Sequence, residues 1–228
     1  MRRLAVLALA TAALAAVAAA PAGATNECRG LQVCVPIAGP WVLTSAAADV
    51  QFQLPCPKRF VVAGLDAELS TRGIDVSFRG ALGSPVNPGI TTTTAAVFLS
   101  RLVRGTDPAA SFRPHIGCIP ASGGGQRFPT SLRVYPPSRP TLPEMTEIPV
   151  RTGTHRYVER CAAGEKLVGA SHAIAFYTST PPSRALAAAV TATQELSGGR
   201  LHVTVHATPA VVEVRAVVQV DLVCVAAR

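Results

Sequence analysis

Apolar and polar residues alternate with a period of two along much of this chain. Val50, Phe52 and Leu54 alternate with Gln51 and Gln53, and Ile74, Val76 and Phe78 alternate with Asp75, Ser77 and Arg79. Successive side chains of a strand point to opposite faces, so this pattern predicts half-buried strands. Between the two, Val61, Ala63, Leu65, Ala67 and Leu69 fall on one face, and the β-branched run Thr91–Thr94 leads into Val97-Phe98-Leu99. Later the pattern is more regular. Leu201, Val203, Val205 and Ala207 alternate with His202, Thr204, His206 and Thr208. Val212, Val214, Ala216, Val218, Val220, Leu222 and Cys224 then form an apolar row opposite Glu213, Arg215, Gln219 and Asp221, which predicts a long final strand or two joined by a bend. Ser183–Gln194 is alanine-rich and fits a short helix as well as a strand; no sustained helical spacing occurs elsewhere in the mature chain.

The strands fall into two sets because a stretch of sequence returns. Cys56-Pro57-Lys58-Arg59-Phe60-Val61-Val62-Ala63-Gly64 has a degenerate copy in Cys161-Ala162-Ala163-Gly164-Glu165-Lys166-Leu167-Val168-Gly169, 105 residues later. Phe52 and Tyr157 stand four residues before their cysteines, and Cys118 and Cys224 follow 106 residues apart. The expected fold is all-β: two tandem, duplicated β-sandwich or barrel-like domains, each with one internal disulfide. Residues 25–120 form module one and residues 144–228 module two. A glycine in the middle of each strand, Gly64 and Gly169, is expected to allow close backbone approach.

The first 24 residues stand outside this pattern. Arg2 and Arg3 precede an apolar run from Leu4 to Ala20, followed by Ala22-Gly23-Ala24, the arrangement of a secretory signal peptide cleaved near Ala24. A run of that length, dominated by alanine, is short for a membrane anchor. The expected location is therefore secreted or extracytoplasmic, with no membrane span in the mature chain.

Export changes the meaning of the cysteines. All six lie beyond residue 24, and an even number in an exported chain reads as a disulfide framework. Equivalent residues in duplicated modules should make equivalent bonds, which gives Cys56 with Cys118, Cys161 with Cys224, and by remainder Cys28 with Cys34. Each long loop closure contributes about 4 kcal/mol in the chain-entropy account. There is no C-x-x-C, so thioredoxin-like redox chemistry and a paired zinc knuckle are not indicated.

Residues 121–143 join the two modules and are rich in glycine and proline, the composition of a flexible and then extended linker. Without Arg2 and Arg3 the chain has 19 basic and 13 acidic residues. Half of that excess, Arg127, Arg133 and Arg139, lies in the linker with Phe128 and Tyr135. Arg127, Arg133, Tyr135 and Arg139 are thus candidates for contact with an anionic polymer, against the plainer reading of a solvated spacer. Nucleic acid is not expected, because the longest basic run is Lys58-Arg59 and aromatic platforms are few.

Catalytic patterns are weak. Gly169-Ala170-Ser171-His172-Ala173 departs from the G-x-S-x-G elbow at its last residue, and adjacent residues of a strand face opposite ways. His172 instead shares a stripe with Val168, Ala170, Ile174 and Phe176, as a hydrogen-bonded core histidine would. His202 and His206 lie about 13 Å apart on a strand, too far to share an ion. Asp66 and Glu68 are the best carboxylate pair, spaced for glycosidase chemistry or, with Asp75, for calcium. No cofactor or metal is expected. The sequence reads best as an exported, non-enzymatic binding or structural protein contacting an anionic cell-envelope polymer, a glycan or a protein. The alternative is a secreted hydrolase with a carboxylate-based site in module one.

Overall fold

The computed structural model describes residues 26–31, 33–79, 94–121 and 144–227. The proposed signal peptide, the glycine- and proline-rich turns at 80–89, and the linker residues Arg127, Arg133, Tyr135 and Arg139 lie outside the described residues. What is described is mostly strand. The first half contributes β1 (Val35–Ala38), β2 (Trp41–Leu43), β3 (Val50–Pro55), β4 (Phe60–Leu69), β5 (Ile74–Arg79), β6 (Ala95–Leu102) and β7 (Ser111–Pro120). The second contributes β8 (Glu144–Pro149), β9 (Gly153–Glu159), β10 (Glu165–Phe176), a short helix α1 (Arg184–Ala188), β11 (Val190–Ser197), β12 (Arg200–Ala207) and β13 (Ala216–Ala226).

Every strand pairing among the described residues is antiparallel, and the order is the same in both halves. In the first, β3-β6-β5 form one sheet, while β7 pairs with β4 on one edge and with β1 and β2 along the other. In the second, β9-β12-β11 form one sheet, while β13 pairs with β10 and β8. The disulfides are Cys28–Cys34, Cys56–Cys118 and Cys161–Cys224, the pairs that the cysteine spacing suggests. The turn after each first long-range cysteine repeats as well. Phe60 N donates to Pro57 O and Glu165 N to Ala162 O, with Arg59 at φ 70° and Gly164 at φ 86° in the left-handed region. Arginine there bears a Cβ cost that glycine avoids.

A β-bulge changes which residues face inward. The β4–β7 register shifts between Val62 and Gly64, and the β10–β13 register between Leu167 and Gly169. One extra residue reverses the parity of the strand beyond it. Val62 therefore packs in the core before the bulge and Leu65 and Ala67 after it, while Leu69 at the strand end is 43 % exposed. The single face expected for Val61 through Leu69 does not exist. Val168 is the extra residue in β10, more than half exposed, and leaves the stripe of Ala170, Ile174 and Phe176.

The final strand also begins later than its apolar row suggests. Pro209–Val211 make a 3-10 turn, Val212 is 71 % exposed, and β13 starts at Ala216. From Ala216 to Leu222 every residue is buried, so the polar positions Gln219 and Asp221 do not face solvent. Ser183–Gln194 divides into α1, capped by Ser183 Oγ accepting from Leu186 N, and the start of β11.

The two halves share a sheet. β2 pairs on one side with β7, through Val42 and Phe112, and on the other with β10, through Trp41 and Phe176. A core cluster built on Phe52, Phe98, Phe112 and Ile116 of the first half includes Ala173, Ala175 and Val217 of the second. A second cluster, with Leu201, Val203, Val218 and Phe176, belongs almost wholly to the second half.

Candidate functional site

The bulge puts Gly64, Asp66 and Glu68 of β4 beside Gly117, His115 and Arg113 of β7, on the face turned away from the core. The N-terminal turn lies across this face. A Cβ on either Gly64 or Gly117 would collide with the backbone carbonyl of Glu27, so both glycines are needed for the turn to seat. Asp66 Oδ2 accepts from Asn26 N at 2.6 Å and Asp66 Oδ1 from Ala67 N at 2.8 Å. The buried His115 ring lies between two carboxylates, with Nδ1 3.6 Å from Glu27 Oε1 and Nε2 3.6 Å from Glu68 Oε1. Arg113 Nη1 is 3.9 Å from Glu68 Oε2, and Arg113 Nε donates to Gly39 O.

This cluster holds the expected carboxylate pair, but its groups are already engaged. Asp66 anchors the turn, and Glu68 lies against Arg113 and His115. Asp75 is not part of it. It stands on β5 in the other sheet and lines a separate groove of about 530 Å³ with Asp49, Ser77 and Arg101. The calcium grouping of Asp66, Glu68 and Asp75 is thereby corrected: the residues belong to different sheets. Sequence reasoning passed over His115 and Glu27. The sequence signal for His115 was a polar residue between Pro114 and Ile116; its register with Asp66 comes only from the pairing of β4 with β7.

The equivalent face of the second half has a different cover. Gly169, Ser171, Ala173, Gln219 and Asp221 occupy the places of Gly64, Asp66, Glu68, Arg113 and His115 in the β10–β13 pair. Here the free edge of β3 abuts the face. Gln53 N donates to Gln219 Oε1 at 2.5 Å, and Gln219 Nε2 donates to Gln53 O at 2.9 Å. The Gln219 amide thus completes a strand edge that would otherwise be buried without partners. Asp221 Oδ2 accepts from Gln51 Nε2 at 3.2 Å, and its Oδ1 has no hydrogen-bond partner among the described residues. Burial pushes the Asp221 carboxyl up to about 7, and the Gln51 hydrogen bond only partly opposes it. Among the described residues nothing approaches Gly169 closely, since an added Cβ would meet only Val223 at 3.8 Å. The expectation for that glycine is corrected.

Ser171 and His172 face opposite ways on β10. His172 Nδ1 lies 2.9 Å from Gln194 Oε1, and Gln194 Nε2 donates to Ala170 O at 3.1 Å, so the imidazole is tied to β11 and not to the serine. His202 and His206 lie on the outward face of β9-β12-β11 with Thr204 between them. His206 Nδ1 is 2.9 Å from Thr154 Oγ1, and His202 lies opposite Glu195 on β11 and Val158 on β9. Arg156, opposite Thr204, and Arg200, at the start of β12, share this face.

Among the described residues, the only grouping with metal-like spacing is Cys161, Glu165 and Cys224, and its two sulfurs are joined in a disulfide. No helix among them is long and apolar enough to cross a membrane. Comparisons with protein-family models, with curated proteins and with solved structures find no match.

Proposed function

We propose that this chain is an exported, non-enzymatic binding or structural protein made of two duplicated β modules that present a surface to an anionic cell-envelope polymer, a glycan or a protein. The observation that carries this reading is the way the polar side chains are used. Asp66, His172 and Gln219 are committed to hydrogen bonds within the protein and Glu68 lies against Arg113 and His115, whereas the outward face of β9-β12-β11 carries threonine, histidine and arginine to solvent. A catalytic site needs a nucleophile or base free to meet substrate; a binding surface needs exposed polar groups on a rigid sheet.

The duplication draws support from the repeated strand order, the matching bulges and the matching turns in the two halves. Modules at 25–120 and 144–228 with a linker at 121–143 fit that repeat, and the shared sheet at β2 would fix the modules against each other. Cleavage near Ala24 would leave the N-terminal turn close to the new chain end. Three disulfides suit an oxidising compartment.

The test is a binding screen of the mature chain against neutral glycans, anionic envelope polymers and envelope proteins. Retention of at least one class is expected. Hydrolysis of a glycan or ester substrate that disappears in Asp66→Asn or Glu68→Gln, with folding intact, would replace this reading with the secreted hydrolase. The linker arginines are tested by substituting Arg127, Arg133 and Arg139 together with alanine.

A further inference from the structure

We infer that the outward face of β9-β12-β11 is the docking surface for a linear polyanion, a polymer with phosphate or carboxylate groups on successive units; this rests on the reading of the chain as a binding protein. Arg156 and Arg200 are exposed on the face itself, and Arg151 and Arg160 are exposed just beyond the two ends of β9. Glu195 is the one acidic residue at the outward positions of these three strands.

The other half supplies an internal comparison. The corresponding β3-β6-β5 sheet carries Asp49 and Asp75 around its groove, with Arg101 Nε 4.0 Å from Asp49 Oδ1. Exposed arginines flank both sheets, since Arg72 and Arg104 lie beyond the ends of β5 and β6, but the β9-β12-β11 face sets only Glu195 against its arginines where the other groove holds two aspartates. Spacing points to an extended ligand. Arg156 lies opposite Thr204, and Arg200 is four residues further along β12, about 13 Å away along the strand. A single phosphate or carboxylate cannot bridge that distance, whereas a chain bearing repeated anions can. Thr204 and Thr193 continue the cross-strand row that begins at Arg156 and offer hydroxyls that donate to or accept from the polymer, while His202 lies between Thr204 and Arg200.

The experiment measures binding of the mature chain to poly(glycerol phosphate), to polygalacturonate and to neutral dextran at low and high salt. Wild type is expected to bind one or both polyanions in a salt-sensitive way and not dextran. The better-bound polymer identifies phosphate or carboxylate as the recognised group. The double variant Arg156→Gln, Arg200→Gln should weaken binding by about tenfold while its circular dichroism and thermal midpoint stay as in wild type, because both positions are exposed. Arg127→Ala, Arg133→Ala, Arg139→Ala should change it by much less. Undiminished polyanion binding by the double variant overturns the assignment of this face and leaves the binding reading standing. So does capture of a neutral glycan or a protein with no polyanion bound. Absence of any ligand overturns both.

Discussion

Gly64 and Gly169 stand at the same point of two bulged strands, yet only one of them is required by what lies above it. At Gly64 the Glu27 carbonyl occupies the space of a side chain, and at Gly169 that space meets nothing closer than ordinary contact. Gly64→Ala should therefore cost roughly 1–3 kcal/mol by displacing the N-terminal turn, while Gly169→Ala should be neutral or slightly stabilising. Urea unfolding of the two variants checks this, and equal effects would contradict it. Both glycines have the same offset from their cysteines, so periodicity and spacing could not separate them. The difference lies in Glu27, which reaches Gly64 only through the folded turn.

At the level of elements, the decisive contact is an edge of one sheet resting on the face of another. Among the described residues β3 has a partner strand on one side only, and on the other the backbone of Gln53 finds the Gln219 amide. Gln219→Leu keeps similar bulk but leaves a buried N–H and C=O unpaired. It should lower stability by about 2–4 kcal/mol, read as a fall in urea midpoint, whereas an exposed control such as Gln194→Leu should cost far less. Alternation in the sequence marked Gln219 and Asp221 as the polar side of β13 and was right about their side. It could not say that the first half of the chain would cover that side. Bulges were equally illegible, because one extra residue reverses facing without changing the composition of the strand.

For the whole molecule, the seam between the halves responds to pH through Asp221. Its folded pKa of about 7 lies above the ordinary value of 3.8. The folded chain therefore holds this proton over a range in which the unfolded chain has released it. Stability from this group is complete below about pH 4, declines as pH rises and is gone above about pH 7. Asp221→Asn should remove that decline, so that its advantage over wild type grows between acid and neutral pH to roughly 2–4 kcal/mol. Denaturation at pH 4 and pH 8 measures it, and a constant difference between the two proteins would refute the assignment. The set of exposed arginines on the outer face of the second half belongs to this scale as well. It arises where strands distant in sequence bring Arg156 and Arg200 onto one sheet.

The amino-acid sequence by itself determined the β character and the cysteine pairs. Each of these rests on local periodicity or on a constant offset, and neither requires knowledge of neighbours in space. It also brought Asp66 and Glu68 to notice as a pair. Tertiary structure decided what the pair does, because Asn26, Glu27, Arg113 and His115 come from other strands and turns. It decided too that β3 seals the face of β13 and that β2 carries one sheet across both halves. Periodicity tells which residues of a strand share a side; only packing tells what lies against that side.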